Sequence, residues 1–448
     1  MITINKQIDP PKDNIFAYDL LDREETIKDL SHLITADTQP FVLSVNADWG
    51  AGKTTFIKLW QAYLTKEKQV KSIYFSAWED DFTSDPLIAI LGELDTYIEK
   101  NNSNLKGKFE KVIKDVLVVT LKGMATKFIG DEGVNVLEKS ATTLIGNYQK
   151  EKDTLAEFKE SIAEILQEID KDKPFIIFID ELDRCRPLYA IECLERIKHI
   201  FGIERLVFVL SIDKKNLAES IKSQYGNIDA DNYLRRFIDL EFELKNPSMD
   251  KFCDALWQKF QLDSILRSKK MNTYRTENRA DHLFAMKTLA VRFDLSLRQI
   301  EQILTKLQII FKTIQPRRLP ETIFVLILFE TLKSYDNSLY IDLTNGRVEA
   351  KKEVKALINA IKTDVFQDTT MERFKIYLSS IVDATALSNS ELNTLIKQKK
   401  DELLLVESGN GKEHERLNSY IIFLEYNFDN SIPNAIRKIN FANKFIFD

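Results

Sequence analysis

Five short apolar runs punctuate the first half of the chain: Phe41–Asn46, Lys71–Ser76, Phe175–Asp180, Leu206–Ser211 and Phe237–Leu244. They are read as strands covered on both faces of a parallel sheet. Between them the apolar positions recur at helical spacing. One such stretch follows the first run, from Thr54 to about Thr65, and another, "DKKNLAESIKSQYG", joins the fourth run to the fifth and closes on Gly226. The pattern predicts an α/β nucleotide-binding architecture.

Nearly a hundred residues separate the second and third runs, from Trp78 to Lys173. Their middle has apolar residues at helical spacing with lysines between them, and reads as an inserted helical subdomain at about 100–165. Amphipathic helices covering the core explain it, and so does a membrane-surface or partner-binding element displaying Lys108, Lys111, Lys114 and Lys122. After Pro247 the pattern is almost wholly helical, and Ser248 or Asp250 can cap the first helix. "QPRRLPE", Gln315 to Glu321, reads as a linker. The expected organisation is a core over 1–245, a helical lid over 246–318 and a mostly helical C-terminal module over 319–448, the last with lysines at Lys397, Lys399 and Lys400.

A chain of 448 residues, 44% hydrophobic and 29% charged, is ordered and globular but too long for one core. Its net charge of -6 gives no overall attraction to nucleic acid, so only a local basic face would bind one. Cys185, Cys193 and Cys253 form no CxxC pair, which fits a reducing compartment and excludes a disulfide framework or zinc site. The four histidines are scattered without ligand spacing. The N-terminus lacks a signal-peptide pattern. "TIFVLILF" (Thr322 to Phe329) and "VLVV" (Val116 to Val119) are the longest apolar runs, far short of the ~20 residues a membrane span needs. A cytoplasmic protein with no membrane span is expected.

The chemistry sits where the runs end. Behind the first comes "ADWGAGKTT", Ala47 to Thr55. Successive backbone N–H groups curled at a helix N-terminus make an anion site, and Gly50 and Gly52 permit the close approach it requires. Trp49, Gly50, Ala51, Gly52, Lys53, Thr54 and Thr55 are therefore the candidate phosphate-binding residues, with Lys53 reaching the β- and γ-phosphates and the Thr54 hydroxyl suited to Mg2+. The loop's usual first glycine is replaced by Ala47, which is acceptable if its φ stays negative. The third run ends in Asp180 and Glu181. Asp180 is placed to hold the Mg2+ water shell and Glu181 to polarise an attacking water, which favours hydrolysis over mere binding. At the end of the fourth run, Ser211 and Asp213 suit either γ-phosphate sensing or turn capping. Arg235 and Arg236 precede the fifth run, either as a solvated pair or as arginines that reach a neighbour's γ-phosphate. Arg298, after Ser296 at the start of an amphipathic helix, suits a second sensor.

Taken in order, "NADWGAGKTT", "YFSAWEDD" (Tyr74 to Asp81), "FIDELDRCRP", "VLSIDKKNL", "YLRRF" and "LSLRQIEQIL" resemble the KAP family of P-loop NTPases, from Phe41 to about Leu307. The resemblance implies an ASCE-type P-loop domain with a helical lid, related to AAA+ and STAND ATPases, that takes ATP and Mg2+. Many KAP proteins carry membrane-spanning helices between the two nucleotide motifs. Here Lys111, Lys114, Asp115, Lys122 and Lys127 argue against spanning. Prokaryotic members are often linked to phage exclusion, so the resemblance implies an ATP-driven switch in antiviral defence. Homo-oligomerisation or a separate defence effector would supply the output. A nucleic-acid-stimulated ATPase and an ATP-binding scaffold with little hydrolysis are the rival expectations.

Overall fold

The computed structural model describes residues 14–83, 85–114, 141–200, 202–245, 248–268, 276–313, 319–361, 368–406, 411–427 and 431–444. They fall into two compact units, one up to residue 246 and one from 247 onward.

The first unit is built on five strands: β1 (Phe41–Asn46), β2 (Ser72–Ser76), β3 (Phe175–Asp180), β4 (Leu206–Ile212) and β5 (Leu240–Glu243). All pair in parallel, in the order β2-β3-β4-β1-β5. The strand carrying Asp180 is thus separated from the strand leading into the glycine loop by β4. Both faces are covered, as continuous apolar strands demand. One face holds Val45, Ile176, Phe178, Val207 and Val209 against α1 (Glu24–Thr35) and α2 (Lys53–Lys66). The other holds Ile73, Phe75, Ile177, Ile179, Phe208 and Leu210 against α3 (Pro86–Asn101), a helix α4 over 106–114, α5 (Ala141–Ile169), α6 (Pro187–Ile200) and α7 (Lys214–Tyr225). A short α8 (Ala230–Leu234) leads toward β5.

The fifth strand departs from the sequence reading. Only Leu240–Glu243 lies in the ladder, against an expected Phe237–Leu244, and it is an exposed edge rather than a buried strand, with Leu240 44% accessible. Phe237 is instead held in a turn, its N–H donating to the Leu234 carbonyl, and Asp239 pins the strand's start by accepting from Val42 N–H. An edge strand has one neighbour, so charged residues at alternate positions are tolerated. The insertion is described only at its ends; the "VLVV" run and Lys122 and Lys127 lie outside the described residues. Lys108 is partly exposed, and its Nζ bonds Glu164 at 2.9 Å and Glu168 at 2.8 Å.

The second unit is all helical: α9 (Met249–Lys259), α10 (Leu262–Ser268), α11 (Thr276–Arg292), α12 (Leu297–Thr313), α13 (Leu319–Tyr335), α14 (Asn337–Thr344), α15 (Val348–Asn359), α16 (Asp368–Ala384), α17 (Asn389–Leu405), α18 (Gly411–Asn427) and α19 (Ser431–Ala442). Ser248 is the N-cap of α9 but its side chain makes no capping bond, and Asp250 sits in the first turn, where its charge suits the helix dipole. The expected linker at 315–321 lies outside the described residues up to 318, and from Leu319 it is already helix α13. Within α13, "TIFVLILF" is core, with Val325, Leu326 and Phe329 fully buried. Lys399 and Lys400 are engaged with Glu402 at 2.6 Å and Glu425 at 2.8 Å. Among the described residues no helix is long and apolar enough to cross a membrane.

Helix α2 is anchored by Trp60, fully buried, with its ring edge-on to Phe178 at 5.4 Å and its indole N–H donating to Ser31 Oγ at 2.9 Å. Trp60→Ala removes that packing and the bond to Ser31, leaving the hydroxyl only its own donation to the Ile27 carbonyl at 2.6 Å. It is expected to lower the unfolding free energy by about 3–5 kcal/mol, measured by urea titration of the full chain.

Candidate functional site

A single register row brings three polar residues together. Ser76 of β2 pairs with Asp180 of β3, Asp180 with Ser211 of β4, and Ser211 with Val45 of β1. Paired residues of a parallel ladder project to the same side, so Ser76, Asp180 and Ser211 share the face covered by α2. The glycine loop leaves β1 one residue beyond this row.

The loop adopts the conformation its glycines allow. Gly50 has φ 83° and Gly52 φ 86°, the left-handed region that a side chain disfavours. Gly52 is the N-cap residue of α2, with Lys53, Thr54 and Thr55 in the first turn. Ala47 is buried and absent from the positive-φ residues, so its methyl group is accommodated where glycine is usual. Its N–H donates to the Ile212 carbonyl at 3.2 Å, holding the loop's start to the end of β4. Lys53 folds back onto its own loop, donating to the Ala47 carbonyl at 2.7 Å and the Asp48 carbonyl at 3.3 Å. Burial pushes its ammonium below the ordinary lysine range, an effect that nearby Asp183, Asp213 and Asp180 oppose.

Two acidic residues strap the loop from outside. Asp213 caps α7, accepting from the N–H groups of Lys215 and Asn216, and its second oxygen accepts Trp49 N–H at 3.1 Å. Asp213 is therefore a turn cap that also holds the loop. Asp183 accepts the indole N–H of Trp49. Its carboxyl is pushed above the ordinary range, first by burial. Sequence reasoning missed Asp183, although the signal lay in the DELDR string.

Asp180 is buried, one oxygen accepting the Glu181 N–H at 2.9 Å and the other the Tyr74 hydroxyl at 3.1 Å. Glu181 turns the chain sharply, at φ 62° and ψ 23°, into a 3-10 turn over Leu182–Arg184. Its two oxygens are taken by Arg184 at 2.7 Å and by Ser76 Oγ at 3.1 Å. Burial raises its carboxyl above the usual range, against the pull of Arg184. The Ser211 hydroxyl is fully buried, with no hydrogen-bond partner. Arg235 and Arg236 are exposed in the turn after α8, Arg236 lying over the Tyr233 ring at 6.0 Å. Arg298 is exposed in the first turn of α12, in the second unit, behind a reciprocal Ser296–Gln299 cap.

The donor set fits a triphosphate with Mg2+. The oxygen donors, the Thr54 hydroxyl and the Asp180 carboxylate, suit a hard cation that keeps water and phosphate as its other ligands. Among the described residues no cluster of three His, Cys, Asp or Glu could hold a metal by itself. The buried Ser211 hydroxyl, in the same row as Asp180, has no hydrogen-bond partner among the described residues.

Fold and loop together define a P-loop NTPase fold with the extra strand between its two nucleotide motifs. Residues 23–314, well over half the chain, match the KAP family P-loop domain, and the protein belongs to that family. It is 21% identical over 230 residues to the phage T7 exclusion protein of Escherichia coli (strain K12), covering 46% of this chain and 30% of that protein. The chain thus spans less than a third of that relative's length. Among solved structures it is similar to C. elegans PCH-2, at 13% identity over 73% of this chain and 69% of that one, with a TM-score of 0.30. It is also similar to Drosophila ORC bound to DNA, at 13% identity over 94% and 85%, with a TM-score of 0.28.

Cys185 follows the 3-10 turn and, like Cys193 and Cys253, is buried, and burial raises all three thiols above their ordinary range. A thiol that stays protonated and covered does not react. A chromogenic disulfide reagent at pH 8 is expected to modify none of the three in the native chain within minutes and all three in denaturant. Rapid native labelling of Cys185 would show that the turn opens.

Proposed function

We propose that the chain is a Mg2+-dependent ATPase whose nucleotide cycle works as a switch, in prokaryotic defence against phage. The observation that carries this is the convergence of Lys53 and Thr54, behind β1, with the Asp180–Glu181 corner, behind β3, across a row completed by the unpartnered Ser211 hydroxyl. The defence context is supported by the family and by the likeness to the phage T7 exclusion protein.

In this reading the loop N–H groups and the α2 N-terminus cradle the phosphates. Lys53 leaves the Ala47 and Asp48 carbonyls to contact the β- and γ-phosphate oxygens. Thr54 and Asp180 hold the Mg2+, which when bound neutralises charge on the β- and γ-oxygens. Glu181 accepts the proton of the attacking water as its oxygen bonds to the γ-phosphorus, while the bond from that phosphorus to the β–γ bridging oxygen breaks and ADP leaves. The Ser211 hydroxyl donates to a γ-phosphate oxygen. Arg235 and Arg236, exposed on the first unit, are available to a neighbouring protomer's γ-phosphate, and Arg298 is the candidate second sensor from the helical unit. Output runs through homo-oligomerisation or a separate effector protein.

The test is steady-state ATP hydrolysis by the full chain over a range of protein concentrations, with ATP affinity measured in parallel. Lys53→Ala is expected to weaken ATP binding by at least about tenfold, the worth of a charge-assisted hydrogen bond. Glu181→Gln keeps binding and loses about 10²-fold or more in turnover. Parental turnover in Glu181→Gln would refute the water-activating role. A per-protomer rate independent of concentration would refute arginine donation between protomers.

A further inference from the structure

We propose that Arg184, backed by Trp78, is a positioning residue that latches Glu181 in the nucleotide-free chain and must release it before water is activated. The proposal rests on the reading of Glu181 as the group that activates water.

Three observations carry it. Both Glu181 oxygens are occupied, one by the Arg184 guanidinium at 2.7 Å and one by the Ser76 hydroxyl at 3.1 Å, so a water must displace a donor or share an oxygen with it. Glu181 sits in left-handed backbone, which costs about 1 kcal/mol for a residue with a Cβ and persists only where surroundings over-determine it. That corner starts the 3-10 turn that brings Arg184 back onto the carboxylate. Third, the guanidinium is itself held: its carbon lies 5.9 Å over the ring of Trp78, a residue 54% exposed directly after β2. An exposed tryptophan backing a half-exposed arginine gives the latch a handle at the surface. Asp80 and Asp81 follow Trp78 in sequence, and Asp81 binds Arg186, leaving Arg184 to Glu181.

The placement also explains why the latch is in this turn. Asp183, one residue before Arg184, accepts the Trp49 indole N–H from the phosphate loop. A single turn of three residues therefore touches the loop through one side chain and Glu181 through the next. Rearrangement of the loop around phosphates shifts the turn that carries Arg184.

The test compares kcat and ATP dissociation constant in the parent, Arg184→Gln, Arg184→Lys, Trp78→Ala, Glu181→Gln and the double variant Arg184→Gln with Glu181→Gln, all in the full chain. Arg184→Gln is expected to raise kcat about threefold, the factor a partly exposed ion pair supports, with the dissociation constant unchanged. Arg184→Lys stays near the parent, Trp78→Ala moves in the same direction as Arg184→Gln, and the gain vanishes in the Glu181→Gln background. If the parent is silent, turnover that appears in Arg184→Gln supports the latch and continued silence overturns it. Unchanged or lower kcat at unchanged affinity overturns it, as does a gain that persists without Glu181. Parental turnover in Glu181→Gln alone would instead refute the base assignment beneath it. Should Arg184→Gln fail to fold, Trp78→Ala, altering an exposed side chain, decides the question by the same criteria.

Discussion

The site depends on three polar side chains, Ser76, Asp180 and Ser211, lying in one register row of a sheet whose three inner strands are mostly apolar. They lie side by side on the face covered by α2, all three buried. A buried carboxylate needs donors, and Asp180 finds them in the Tyr74 hydroxyl two residues up β2 and in the Glu181 N–H. That second bond draws Glu181 into its left-handed corner, and the corner launches the turn bearing Asp183 and Arg184. A buried hydroxyl without a partner costs about 1–3 kcal/mol. The Ser211 hydroxyl bears that cost unless a ligand oxygen completes it, which is the condition the proposed function supplies.

The same constraint shapes the glycine loop. Lys53 is drawn toward three carboxylates, yet it bonds to loop carbonyls instead, while Asp183 and Asp213 are spent on Trp49. The loop is thus closed on itself, with its cation stored against its own backbone. Asp183, just after β3, and Asp213, just after β4, tie the loop through Trp49. Ala47 fits because the unusual backbone angles fall on Gly50 and Gly52 and not on the loop's first residue.

Much of this was legible in the sequence, for a physical reason. Strands buried on both faces write themselves as unbroken apolar runs, and the loop and the Asp180–Glu181 pair are contiguous strings whose chemistry is local. β5 was misread in extent and burial because an edge strand carries Glu241 and Glu243 beside Leu240 and Phe242, and Phe237 is apolar because its ring packs in the core ahead of the ladder. The lysines of the insertion looked available because Glu164 and Glu168, which hold Lys108, lie 56 and 60 residues away. The Trp49–Asp183 bond joins residues 134 apart, and no periodicity announces such a tie.

What the strings hid was the use of the residues between the recognisable ones. Tyr74, Ser76 and Trp78 come from one end of β2, and each serves β3's corner: the first bonds Asp180, the second Glu181, the third backs Arg184. The alternation of a strand explains the division, since Tyr74 and Ser76 share a face and point at the same row. Trp78 lies beyond the ladder and is free to turn outward. β2 is therefore more than sheet filling.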